Sequence, residues 1–135
     1  MIAALAGALL FALLPVPRLV GPVVDQAGVL APAEAARLEG FARAALAADG
    51  GKGPQLAFLV VRSLDGEPIE SFSIRVAEAW KLGDAGRDDG LLFVLSIDDR
   101  EARIEVGGGI EGELTDVQAG RIIRDRMLPE FRRGA

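Results

Sequence analysis

Gln55–Val61 reads QLAFLVV and Leu91–Ile97 reads LLFVLSI, two apolar runs flanked by turn formers. Gly53-Pro54 precedes the first run, Asp65-Gly66 follows it, and Asp88-Asp89-Gly90 precedes the second. Short continuous runs of this kind, bounded by turns, predict strands buried on both faces. A strand of that sort needs a layer of structure on each side, so these two segments decide the fold class.

Working outward, Asp98-Asp99-Arg100-Glu101 makes a tight charged turn after the second run. Ala102–Val106 (ARIEV) then alternates, with Ile104 and Val106 pointing one way and Arg103 and Glu105 the other. That is the pattern of a half-exposed strand, and the short turn predicts an antiparallel hairpin. Three helices are expected between and after the strands. Pro32–Ala48 has Pro32 at its first position and Glu34 near its positive end, with Ala35, Leu38, Ala42, Ala45 and Leu46 as its apolar face. Pro68–Leu82 carries Ile69, Phe72, Val76, Ala79 and Trp80 on one stripe and stops at Gly83. Trp80 falls on that stripe and reads as core. Thr115, with Gln118 as its capping-box partner, opens a third helix that buries Ala119, Ile122, Ile123 and Met127. Val23-Val24-Asp25, ahead of the Ala27-Gly28 turn, is a short strand or edge segment. The order β-α-β-α-β-β-α predicts an α/β domain with a mixed sheet covered by helices on both faces.

Composition prunes the chemistry. The chain of 135 residues suits one domain, and its net charge of -5 offers no general attraction to phosphate backbones. Nucleic acid is therefore not an expected partner. There is no cysteine and no histidine, so thiol catalysis, disulfides, imidazole bases and serine–histidine triads are excluded. Carboxylates, hydroxyls, Lys/Arg and backbone amides remain. Oxygen-only ligands favour hard cations such as calcium or magnesium.

Met1–Leu14 carries no charge. Fourteen helical residues would span about 21 Å, short of a hydrocarbon core of about 30 Å. The length fits the apolar part of a signal peptide. No Lys or Arg precedes the run and no A-x-A site follows it, so retention as a membrane anchor is the other reading. The expected organisation is a leader over 1–17, a linker over 18–22 and a domain over 23–135, placed outside the cytoplasm in the periplasm or at the cell surface.

Five carboxylates on glycine-flanked loops are the candidate ligands: Asp25, Asp88, Asp89, Glu111 and Asp116. Adjacent carboxylates on one loop repel each other unless a cation or several amides hold them, and calcium accepts six to eight such oxygens. Each residue also has a plainer role. Asp25, Asp88 and Asp89 suit turns, and Asp116 complements a helix dipole. Gly107-Gly108-Gly109-Ile110-Glu111-Gly112 matches G-x-G-x-x-G. A nucleotide is not expected there, because the preceding strand is the second arm of a hairpin and Glu111 would meet the pyrophosphate with like charge. Asp98-Asp99 is expected at the opposite end of the sheet from the other loops, in solvent.

Several ordered segments resemble the TPM domain family. They are Val24-Asp25-Gln26-Ala27-Gly28-Val29-Leu30, Arg87-Asp88-Asp89-Gly90-Leu91-Leu92, Arg103-Ile104-Glu105-Val106-Gly107 and Gly109-Ile110-Glu111-Gly112-Glu113-Leu114-Thr115-Asp116, followed by Ile122-Ile123 and Pro129-Glu130-Phe131-Arg132. The resemblance implies a three-layer α/β/α sandwich in an exported or lumen-facing protein. It also implies calcium held by an acidic loop cluster, with magnesium the less favoured ion, and a membrane protein or membrane-associated complex as partner. By motif position Asp88 and Asp89 match the family's Asp-Asn-Gly turn, with Asp89 in place of its Asn. Glu111, Asp116 and Asp25 match its loop glutamate, its helix-opening aspartate and its early aspartate. Gly108 stands where many members carry a larger residue. The family pattern continues past Arg133 with Gly-Asp-Tyr and a further helix, so a truncated C-terminus is expected. Plant relatives are assigned acid phosphatase activity, which makes a metal-assisted phosphatase the alternative function. Without histidine or cysteine its nucleophile would be a metal-activated water or an aspartate.

Overall fold

The computed structural model describes residues 13–83, 86, 88–110, 118, 121, 124 and 125. Strand β1 (Val23–Asp25) leads into helix α1 (Pro32–Gly51), strand β2 (Gln55–Val61), helix α2 (Ile69–Trp80), strand β3 (Gly90–Ser96), strand β4 (Glu101–Val106) and a 3-10 turn at Gly108–Ile110. The sheet order is β1-β2-β3-β4. β1, β2 and β3 run parallel, and β3 and β4 form the expected antiparallel hairpin. The fold is α/β with a mixed sheet. Among the described residues no helix is long and apolar enough to cross a membrane.

Alternate residues of β2 serve two cores. Ala57, Leu59 and Val61 join Leu92 and Val94 of β3 against Ile69, Phe72, Val76 and Trp80 of α2. Leu56 and Phe58 face the other way, with Ala42 of α1 and the partly buried Leu38, Ala45, Leu91 and Phe93. Phe58 stacks on Phe93 with ring centroids 4.8 Å apart. One helix per face makes three layers, and QLAFLVV is buried on both sides from Leu56 onward.

Two expectations change. β3 alternates between buried and half-buried residues rather than being buried on both faces. Among the described helices α1 is the one on that side, and it lies over β1 and β2, short of β3. The face expected for α1 is also thinner than its pattern suggested: Ala42 is buried, whereas Leu46 is 46% exposed. Alanines cover little area, so this helix seats shallowly. It breaks at Ala48–Gly50, where Asp49 and Gly50 take positive φ. The expected third helix from Thr115 lies outside the described residues apart from isolated positions.

Candidate functional site

The end of the sheet where β3 begins and β4 finishes is held together by backbone amides. Gly107 N–H donates to Gly90 O at 2.8 Å, Gln55 N–H to Asp89 O at 3.1 Å, and Gly109 N–H to Asp88 O at 2.8 Å. Gly83 N–H donates to Gln55 Oε1 at 2.6 Å, which brings the end of α2 onto the same rim. Asp88 sits in the left-handed region at φ 50, a conformation that Asp and Asn tolerate through short-range hydrogen bonding. Its carboxylate accepts from Gly108 N–H at 3.0 Å while the residue stays exposed.

Two glycines permit this close approach. A Cβ on Gly107 would run into Asp88 O, and one on Gly83 would lie 2.6 Å from Gly90 N. The glycine tract after β4 therefore begins as a backbone seat for Asp88. Gly108 belongs to it too: its amide is the one the Asp88 carboxylate takes.

The candidate ligands do not all share this rim. Asp88 and Asp89 lie on it, but Asp89 is only 6% exposed, so of this pair Asp88 faces solvent. Asp25 stands apart from this rim. β1 is parallel to β2 and β3, and Asp25 stands in register with Val60, near the far end of β2. Five residues at about 3.3 Å each put it about 17 Å from the Gln55–Gly90 register. Both of its oxygens are used locally, accepting from Gly28 N–H and Leu30 N–H at 2.8 Å each. Glu111 and Asp116 lie outside the described residues. Among the described residues no three acidic side chains group to hold a metal. A cation at this rim would take Asp88 as one donor of the six to eight oxygens that calcium uses.

At the opposite end the charged turn is exposed, as expected, and Asp99 also makes specific bonds. Its carboxylate accepts from Ser96 Oγ at 2.6 Å and Leu64 N–H at 2.8 Å, tying the hairpin turn to the β2–α2 loop. The Ser96 hydrogen bond, with the Leu64 amide, holds its pKa below the ordinary aspartate value. No sequence spacing signals this bond, because Leu64 and Asp99 meet only through the parallel β2–β3 pairing.

Beside the Asp88 rim, α2 and the β3–β4 hairpin enclose a groove of about 340 Å³. Ile74, Leu82, Leu92 and Val106 supply its apolar part, with Asp88 and Glu105 among its polar residues.

The comparisons with known proteins agree with this architecture. No curated protein matches the chain. The solution NMR structure of an N-terminal domain of a P. gingivalis protein is 38% identical, with a TM-score of 0.75 over 83% of this chain and 69% of that one. An N-terminal domain from Corynebacterium glutamicum, also solved by NMR, is 15% identical with a TM-score of 0.63, over 90% of this chain and 76% of that one. The second likeness bears on the fold alone. The model of the TPM domain matches residues 23–135, and with it the chain belongs to the TPM domain family.

Proposed function

We propose that this TPM domain is an exported accessory module that binds a divalent cation, calcium ahead of magnesium, and docks onto a membrane protein or membrane-associated complex. The observation that supports the cation reading is the posture of Asp88. Its carbonyl and one carboxylate oxygen are fixed by the amides of Gly109 and Gly108, and the residue remains exposed. A carboxylate already ordered by the chain loses little freedom on meeting an ion. Glu111 and Asp116 follow in the segment that Gly108 opens, and they complete the proposed oxygen set. A loop set of this kind suits calcium, whose coordination is flexible, over magnesium, which demands octahedral geometry and keeps its waters.

Calorimetry with each ion, on the chain and on Asp88→Asn, tests this reading. Calcium should release or absorb heat and raise the melting temperature, because binding to the native state stabilises by about 2.7 kcal/mol at one hundred times Kd. Asp88→Asn should abolish both effects. Absence of heat and of thermal shift with either ion would remove the cation. Turnover of a generic phosphate ester that requires the ion and disappears in Asp88→Asn would redirect the reading to the metal-assisted phosphatase.

A further inference from the structure

Residues 14–17 (Leu-Pro-Val-Pro) lie in contact with the domain, against α2 and the main core. Leu14 and Val16 pack against the main core, although neither belongs to a strand or helix. Leu14 offers its N–H to Glu67 Oε1 at 3.4 Å and its carbonyl to Arg75 at 2.7 Å. Trp80 Nε1–H donates to Pro17 O at 2.8 Å. Both polar groups of one peptide residue are thus met by an ion pair, and a second carbonyl by the indole.

The receiving groups are ordered by the domain itself. Arg75 grips Glu67 in two-pronged fashion, at 3.0 Å through Nε and 2.7 Å through a terminal nitrogen. Ser71 Oγ–H donates to the same carboxylate at 2.9 Å. The Glu67 side chain is 5% exposed. Such a pair is costly to desolvate unless its remaining hydrogen-bonding positions are used. The peptide uses them. Pro15 and Pro17 have fixed φ, so the segment is ordered at a low entropic cost.

We propose that Glu67, Arg75 and Trp80 form a recognition site for an extended, proline-containing apolar peptide, which residues 14–17 fill in cis. Recognition is through main-chain groups, with the side chains of Leu14 and Val16 supplying selectivity. The site is separate from the cation reading. A chain processed after Pro17, the leader boundary expected from sequence, would leave it open to such a segment in trans.

The test uses the full chain carrying Leu14→Asp and Val16→Asp, which ejects the strap, with Trp80 as the sole tryptophan and reporter. Trp80 emission should shift to the red and become accessible to acrylamide. A synthetic peptide of residues 13–19 should reverse the shift saturably, whereas a scrambled peptide should not. Adding Arg75→Gln should weaken the peptide about tenfold or more, the value of one charge-assisted hydrogen bond. The unmodified chain, already filled, should not respond to the peptide. An unchanged Trp80 spectrum in the double variant, or reversal by both peptides or by neither, would overturn the proposal. Should the double variant unfold, the unmodified chain still decides. Slow hydrogen exchange at the Leu14 amide and a shielded Trp80 are expected, and free exchange with an accessible Trp80 would overturn it.

Discussion

The two ends of the sheet use their carboxylates in opposite ways. At the end where β1 and β2 finish, Asp25 spends both oxygens on the amides of Gly28 and Leu30, and Asp99 bonds Ser96 and Leu64. These acids staple loops. At the other end Asp88 is held by the chain through its carbonyl and one amide, and it stays exposed. Acidic turn residues look alike in a sequence. The backbone takes both oxygens of Asp25 but one of Asp88, while Asp99 spends a single oxygen on a hydroxyl and an amide that join two loops.

The largest effect that would break the contrast concerns Gly107. Gly107→Ala puts a methyl against Asp88 O, a backbone atom that cannot rotate away. The expected destabilisation is about 2–3 kcal/mol by urea unfolding, in the range of overpacking. A loss within experimental error would show that the Asp88 rim is not a tight seat.

Asp25→Ala sharpens the comparison from the opposite end. It removes the carboxylate from the amides of Gly28 and Leu30, of which Gly28 keeps the Asp25 carbonyl at 3.3 Å, and should cost about 1–2 kcal/mol, with calcium heats unchanged. Altered calcium heats would return Asp25 to the cation site.

A pH titration of stability follows. Asp99 is lowered by Ser96 and Leu64, and Glu67 by its Arg75 hydrogen bond, which outweighs burial. Carboxylates with lowered folded-state pKa values stabilise fully above their unfolded values, 3.8 and 4.5. That stability is lost as pH falls through the folded values. The melting temperature should therefore drop on acidification below about pH 5, and the slope should flatten in Asp99→Asn combined with Glu67→Gln. An unchanged slope in that variant would mean other groups carry the acid response.

The smallest stability effect belongs to Asp88→Asn. Asparagine accepts the left-handed backbone and keeps an oxygen for Gly108, so the change should stay within about 0.5 kcal/mol. The same variant should lose the calcium signal, and that pairing of a silent fold with a lost ligand separates this end from the other.

Ser73 offers a check on the core beside these ends. Its hydroxyl is buried without a hydrogen-bond partner among the described residues. Ser73→Ala should leave stability unchanged or raise it by up to about 1 kcal/mol, since burying an unpaired hydroxyl costs free energy.

Much of the architecture was legible because hydrophobic burial writes itself into local period. QLAFLVV announced a strand with two covered faces, ARIEV announced a hairpin arm, and the Phe72–Val76–Trp80 stripe announced the helix that covers the main core. The site was less legible. Asp25 shares a motif set with Asp88, yet parallel pairing carries it to the far end. Leu14 and Val16 read as the tail of an apolar leader, because contact with α2 leaves no periodic trace in an extended segment with prolines.

By itself the sequence determined the class of fold, the absence of thiol and imidazole chemistry, and the strands and helices whose apolar spacing matches 2.0 or 3.6 residues. Only the tertiary structure decided which acids lie at the same end, that Asp99 and Asp25 are staples, and that residues 14–17 sit on α2. The physical reason is range. Periodicity records what one element buries, while strand direction and loop closure set which distant groups meet, and those depend on the whole sheet at once.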